Sequence, residues 1–302
     1  MTNALVLATA WAADRLLGEP PVGHPVRGMG AVLVRARRWN ADASLSEAGR
    51  RGAGALLLTA GALSSWHVGR RLARAGNPLR AGLAISSVIS LNELVAAGRR
   101  VRIHLERGDL GAARASLGRD LVSRDTSELT ESEVAGATVQ SLAENLNDAF
   151  VAPLFWAAVG GGGAAWAFRF VNTADAVLGY RTPELASFGW ASARADDLLG
   201  WIPARLTAAS IVLAAPLVGA SAGSAVRAAR ASAGRTPSPN GGWPMAAAAG
   251  ALDVRLEKRG AYVLNDGGYD PAAGTVRRAE RLIEVAGALT VAAIGFAVER
   301  AR

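Results

Sequence analysis

The runs 52–69, 149–168, 206–226 and 285–298 contain no Asp, Glu, Lys or Arg. A helix that crosses the bilayer core needs about 20 mostly apolar residues, within a range of roughly 17–25. Two of the runs reach that length, 52–69 is borderline, and 285–298 is short unless its charged ends snorkel. Backbone in lipid must satisfy its own hydrogen bonds, which favours helices over loops or open strands. No stretch of the chain holds a strand period. The pattern therefore predicts an all-α, polytopic integral membrane protein, with an Ala-rich soluble helical bundle as the bland alternative. Composition points the same way, since 51% of the 302 residues are hydrophobic and 19% are charged.

The runs also predict where helices bend. Gly160 to Gly163 interrupt the second run, and each Gly costs about 1 kcal/mol relative to Ala inside a helix. Four in succession predict a break, with two halves of about ten residues returning as a re-entrant hairpin. Non-helical backbone at that depth is tolerated only against protein or a wet cavity. Pro216 and the small residues 219–225 predict a similar turn within 206–234.

Elsewhere, residues 4–17 read as a short apolar helix ending at Gly18-Glu19-Pro20-Pro21, and 28–51 contain a basic amphipathic helix with Arg35, Arg37 and Arg38. The runs 52–69 and 81–98 suit a helical hairpin joined by an Arg-rich turn (Arg70, Arg71, Arg74, Arg80). Glu93 in its second arm is costly in lipid and is expected to face protein or water. Residues 99–148 are more soluble, with a break at Gly108-Asp109 and a capping box at Thr130 and Glu133. A mixed helix over 244–258, a Gly/Asp loop at 265–270 and a helix over 275–299 complete a single membrane-embedded domain of 1–302. Multi-pass insertion in the cell membrane is expected, with the active face cytoplasmic.

The net charge is +8 and every basic residue except Lys258 is Arg. The basic groups are scattered, not striped with aromatics, which argues against nucleic acid and for contact with anionic lipid. The absence of cysteine removes disulfides, thiolate metal sites and Cys nucleophiles. The N-terminus lacks a basic region before its apolar run and reads as a membrane helix instead of a cleaved signal.

Polar groups set beside membrane-grade sequence are functional candidates. The stretch 172–207 is dense in them, and it lies between two of the apolar runs. Asn145-x-x-Asp148 and Asn172-x-x-Asp175 share a spacing that puts both ends on one helix face, and Glu144 with Asp148 forms a like-charge i,i+4 pair. Such oxygen ligands suit Mg²⁺ held partly through substrate phosphates, at Asp148 and Asp175 above all; a solvated helix end is the alternative. Asp196 and Asp197 diverge by about 100° on a helix, so one can bind a metal while the other pairs with Arg194; an ordinary surface ion network is the alternative. Arg124-Asp125-Thr126 reads as a helix terminator with Thr126 as N-cap. His24, beside Arg27 in a Pro-bounded loop, suits either acid–base work or a structural hydrogen bond. His67 reads as a packed core residue. Ser238, Asn240 and the glycines after them could form an anion-binding nest or an ordinary turn. No phosphate-binding P-loop is present.

In order, the segments DRLLGEPPVGHPVRGMG (14–30), LVSRDTSEL (121–129), AENLNDAFVAPLFW (143–156), NTADAVLGYRTPELASFGWASARADDLLGWIPARLT (172–207) and SPNGGWPMAAAAGAL (238–252) resemble the CobD/CbiB family, the adenosylcobinamide-phosphate synthases of cobalamin biosynthesis. The family more usually has a small residue and then Ser-Asp-Gly where this chain has Leu146-Asn147-Asp148-Ala149. The resemblance implies a membrane ligase that joins adenosylcobyric acid, a corrinoid, to aminopropanol phosphate or a related amino-alcohol phosphate, with ATP as co-substrate. On that reading Glu144, Asp148, Asp175 and Asp196 or Asp197 are the catalytic, Mg²⁺-placing carboxylates. Arg124, Arg181, Arg194 and Arg205 would hold phosphates. His24, Arg27, Asn145, Asn172, Tyr180, Ser238 and Asn240 would bind or orient substrate. A homo-oligomer or a complex with other membrane enzymes of the pathway is compatible with it. Rival readings are an AmpE-like membrane sensor without catalysis, a Mg²⁺-dependent membrane prenyltransferase, and a transporter.

Overall fold

A computed structural model describes residues 2–18, 24–74 and 77–301. The helices in chain order are α1 (Ala4–Leu17), α2 (Pro25–Asp42), α3 (Glu47–Leu72), α4 (Pro78–Ser86), α5 (Asn92–Glu106), α6 (Leu110–Asp120) and α7 (Glu131–Leu146). A π turn (Asn147–Val151) leads into α8 (Ala152–Leu178), followed by α9 (Trp190–Leu199), α10 (Trp201–Ala214), α11 (Ala222–Ser232), α12 (Gly242–Leu252) and α13 (Ala273–Arg300). Two three-residue strands, β1 (Leu256–Lys258) and β2 (Tyr262–Leu264), pair antiparallel. The expected helix over 244–258 thus stops at Leu252, where Asp253 turns left-handed at φ 57°. The chain beyond it forms the one hairpin in an otherwise helical fold among the described residues.

Among the described residues three helical stretches are long and apolar enough to cross a bilayer: Glu131–Leu178, Trp201–Val218 and Ala273–Arg300. The fold is that of an all-α membrane protein. The short run 285–298 gains its length from the flanking turns of α13, whereas 52–69 lies in α3, which is not among the three. Leu198, Leu213, Leu217 and Phe296 are exposed, as lipid-facing side chains would be.

The chain divides into two compact units, each discontinuous in sequence: 1–90 with 152–200 and 293–302, and 91–151 with 201–292. In the first, α3 packs along α8. Its inward stripe is small: a Cβ at Gly54 would meet the Phe188 carbonyl oxygen at 1.9 Å, one at Gly61 the Phe170 ring at 2.0 Å, and one at Gly69 the Gly162 carbonyl oxygen at 2.6 Å. Glycines at this spacing let two helix backbones approach closely. His67 falls off that stripe and is exposed, contrary to the expectation of a core position. Helix α8 breaks where the glycines predict, at Gly160 (φ −134°) and Gly161 (φ 74°). The segment after the break runs on to Leu178, longer than the ten residues expected, and so carries Asn172 and Asp175 on helix. The helix stop at Glu19-Pro20-Pro21 lies outside the described residues.

The expected second hairpin arm, 81–98, is two helices. Ser86 and Ser87 hydroxyls donate back to the Leu83 and Ala84 carbonyls at 2.9 and 2.8 Å, ending α4. Serine competing for helix carbonyls in this way is a local stop that hydropathy does not report. Helix α5 then starts with Glu93, which pairs with Arg100 at 2.7 Å.

In the second unit α12 packs against α7, α10 and α11. Its face is almost wholly Ala and Gly, and Gly250 lies where a Cβ would be 2.3 Å from the Ser224 carbonyl oxygen. The capping box of α7 is present: Glu133 N donates to Thr130 Oγ1 at 3.3 Å and Thr130 N to Glu133 Oε2 at 2.8 Å. Thr126 is not an N-cap; its hydroxyl donates to the Arg114 carbonyl at 2.9 Å and pins the loop to α6. The turn expected at Pro216 is a short 3₁₀ segment (Ala215–Val218) closed by left-handed Gly219.

Candidate active site

The candidate polar side chains gather in a cluster in each unit. In the second unit a cup of about 170 Å³ is lined by Arg124, Glu144, Lys258 and Tyr262, with Gln140 and Ser141 beside them. It draws on three parts of the chain: the loop after α6, the last turns of α7 and the β1–β2 hairpin. Gln140 positions the hairpin, donating from Nε2 to the Glu257 carbonyl at 3.0 Å and accepting from the Tyr262 hydroxyl at 3.0 Å. Ser141 Oγ donates to the Leu121 carbonyl at 2.7 Å and fixes the loop that carries Arg124. The Tyr262 phenol has its pKa pushed up to about 12, first by burial and then by the negative charge of Glu144, with Arg124 opposing. It therefore stays a neutral hydrogen-bond donor at any physiological pH.

The Ser238–Gly242 loop lies against the same carboxylate. A Cβ on Gly241 would sit 2.6 Å from Glu144 Oε1, so a side chain there would push the Glu144 carboxylate aside. Ser238 Oγ accepts from the backbone N–H groups of Asn240 (3.2 Å) and Gly241 (3.5 Å), which makes an ordinary Ser turn of the sequence. Arg205 holds the loop: its guanidinium donates to Asn240 Oδ1 at 3.0 Å, the Pro239 carbonyl at 3.2 Å and its own Trp201 carbonyl at 2.9 Å. It also lies over the rings of Trp201 and Trp243, at 4.4 and 5.1 Å from the centroids. A guanidinium between two indoles is held by its fork and its face at once.

The π turn changes the expected Asn145–Asp148 face. Asn145 Nδ2 donates back to Ser141 (2.9 Å to the carbonyl, 3.1 Å to Oγ). Asn147 instead reaches Asp148, donating from Nδ2 to Oδ1 at 2.7 Å, while its own Oδ1 accepts from Thr207 Oγ1 at 3.1 Å. A π turn inserts one residue per bulge and rotates the helix beyond it, and such turns are frequent at functional sites.

The first unit holds Asn172, Asp175, Tyr180, Arg181, Arg194, Asp196 and Asp197. Asn172 is buried and bridges two elements, accepting from Arg169 Nη1 at 3.0 Å and donating to Asp196 Oδ1 at 3.2 Å. Asp197 diverges from Asp196 as the helix geometry requires, and meets Arg194 at 3.8 Å. Burial raises its pKa, with Arg194 and Arg181 opposing. Asp197, Arg194, Arg181 and Tyr180 line a cavity of about 330 Å³. The loop from Gly179 to Gly189 closes by backbone contact: a Cβ at Gly189 would be 1.8 Å from the Leu178 carbonyl oxygen, and one at Gly179 would be 2.7 Å from the Asp175 carbonyl oxygen. Arg37 of α2 lies 6.0 Å from the Tyr180 ring. His24, at the N-terminus of α2, is buried, and Arg27 is exposed one turn later.

A family model described as CobD/Cbib protein matches residues 7–292. The chain belongs to the CobD/CbiB family. It is 39% identical over 271 residues to a protein named "Probable cobalamin biosynthesis protein CobD" from Methanothermobacter thermautotrophicus, covering 88% of both chains. It is 39% identical to the "Cobalamin biosynthesis protein CobD" of Pelobacter propionicus (83% of this chain, 79% of that one). To the protein of the same name from Mycobacterium tuberculosis it is 38% identical (84% and 80%). No solved structure matches.

Within this CobD/CbiB chain, Arg124 and Glu144 share one cup with Lys258 and Tyr262, which sequence reasoning did not single out. Lys258 was visible as the only lysine, but nothing in its local pattern tied it to Glu144. Arg169 and Asn147 were also missed. The first stands at the edge of an apolar run, and the second carries a role only because of the π turn.

Proposed function

We propose that the chain is an adenosylcobinamide-phosphate synthase of cobalamin biosynthesis. It would join adenosylcobyric acid to aminopropanol phosphate, or a related amino-alcohol phosphate, through an amide bond at the expense of ATP. Membership of the CobD/CbiB family supports the pathway. The observation that carries the chemistry is the cup in which one carboxylate, Glu144, faces two cations, Arg124 and Lys258, beside a neutral phenol. A small zwitterion with an ammonium and a phosphate is complementary to that arrangement. Arg124 and Lys258 would take the phosphate oxygens, and Glu144 the amine.

The carboxylate of the corrinoid is a poor acyl donor until phosphorylated. Transfer of the ATP γ-phosphoryl group to it would give an acyl phosphate and ADP. The bound ammonium first gives one proton to Glu144; the free amine attacks the acyl carbon, the C–O bond to phosphate breaks, and the leaving phosphate carries off the second nitrogen proton. Positioning and charge neutralisation supply most of the rate in such transfers. Arg181 and Arg194, in the cavity that Asp197 lines, are the proposed phosphate ligands of the first unit. Arg205 acts on the reaction through the loop it holds. Among the described residues no group of three or more His, Asp or Glu could cage a metal. Mg²⁺ usually needs only one or two carboxylates plus phosphate oxygens and water, so the residues fit an ion that arrives on ATP, with Asp148 or Asp175 as its protein ligand. Such an ion would neutralise charge on the transferring phosphoryl group. The active face would be cytoplasmic, where ATP is available.

The test supplies purified protein in detergent with adenosylcobyric acid, ATP, Mg²⁺ and aminopropanol phosphate, and looks for the amide product by mass. Product that depends on both ATP and the amine is expected. Its absence, with the protein folded and lipid restored, would overturn the reading.

A further inference from the structure

A cavity of about 850 Å³ lies in the first unit at the break of α8. Gly160 to Gly163 form one wall, and the basic end of α3 forms another with Trp66, Arg70 and Arg74. Val6, Ile85 and Val159 supply an apolar side, and no acidic residue lines it among the described residues. We propose that this cavity binds the phosphate headgroup of an anionic glycerophospholipid, with the start of the acyl chains on the apolar side.

Four observations converge on it. Arg70 is held over the Trp66 ring at 5.1 Å, which fixes the guanidinium at the cavity wall. Arg80 Nε donates to the Leu72 carbonyl at 3.1 Å, so the basic turn is folded back on the end of α3. The break at Gly160–Gly161 falls inside the longest apolar helical stretch of the chain, Glu131–Leu178. Irregular backbone there must be covered by protein or by something polar. Finally, cations and apolar side chains share one lining, which matches an amphiphile and not a free anion. The inference stands independently of the synthase reading.

The experiment compares lipid retention by native mass spectrometry of the full chain, after exchange into detergent with phosphatidylglycerol or phosphatidylcholine of matched acyl chains. Phosphatidylglycerol is expected to be retained preferentially. Each of Arg70→Gln and Arg74→Gln should weaken that preference roughly fivefold, while Arg227→Gln, in α11 of the other unit, should not change it. A photoactivatable phosphatidylglycerol analogue should label peptides within 66–85 or 157–163 of the wild-type chain, which tests the site even if a variant fails to fold. Equal retention of the two lipids, undiminished preference in both folded variants, or labelling confined elsewhere would each overturn the proposal. Competition by soluble glycerol phosphate as effective as by the lipid would reassign the cavity to a free phosphate and equally sink it.

Discussion

The polar cluster of the first unit and that of the second were built in opposite ways. Asn172 to Asp197 are near one another in sequence, on α8, a glycine-closed loop and α9. The cup around Glu144 gathers residues from 123 to 262. The contiguous cluster is the less braced: Tyr180 is 41% exposed and Arg194 reaches Asp197 only at 3.8 Å. The dispersed cluster is the more tightly braced, with Gln140, Ser141 and Arg205 each holding a loop or hairpin in place through hydrogen bonds of 2.7 to 3.2 Å. Candidate residues close in sequence thus form a patch with little bracing. Preorganisation, which catalysis depends on, came from long-range contacts.

That comparison can be broken most directly at Glu144. Glu144→Gln should lower the turnover of amide synthesis about 10²- to 10⁴-fold, the range expected for a lost proton acceptor, with the helical circular dichroism unchanged. A matching fall in Asp196→Asn, with Glu144→Gln near wild type, would move the chemistry to the first unit. The same variant should lower the Tyr262 pKa, followed by ultraviolet titration of the phenolate. The folded value near 12 exceeds the unfolded value of about 10, so the associated stability is complete below pH 10 and disappears as pH rises from about 10 to 12.

Gly189→Ala is expected to destabilise the first unit by about 1–3 kcal/mol, because the new methyl group meets backbone that cannot rotate away. A thermal melt in detergent would show it, and an unchanged midpoint would mean that the loop closes differently. Arg205→Lys keeps the charge but loses the planar fork between two indoles. It should raise KM for the amino-alcohol phosphate about tenfold, with kcat less affected, if the loop beside Glu144 shapes that subsite. The smallest stability effect belongs to Arg194→Ala, under about 1 kcal/mol for so exposed and long a pair. A KM for ATP that also stays unchanged would remove Arg194 from phosphate binding.

Much of the fold was legible because helix periodicity and charge-free length are local properties. Capping by Thr130 and Glu133, the break at Gly160–Gly161, the turn after Pro216 and the divergence of Asp196 from Asp197 all arise from residues a few positions apart. The failures share a cause as well. Ser86 and Ser87 end α4 through hydroxyl bonds that hydropathy does not weigh. The π turn at Asn147 shifts a register that ideal helix spacing assumes constant. Thr126 resembled a cap but was recruited by the Arg114 carbonyl, twelve residues away.

The sequence by itself determined that this chain is helical, membrane-borne and bent at named glycines, since each of those depends on how residues within a turn or two compete for lipid, water and backbone bonds. Tertiary structure alone decided that Lys258 and Tyr262 stand beside Glu144 and Arg124, and that Arg205 holds a loop between two indoles. A face can be read as apolar or polar from its own spacing, but which face another element presents to it depends on packing, and packing is settled by the shapes of all the pieces together.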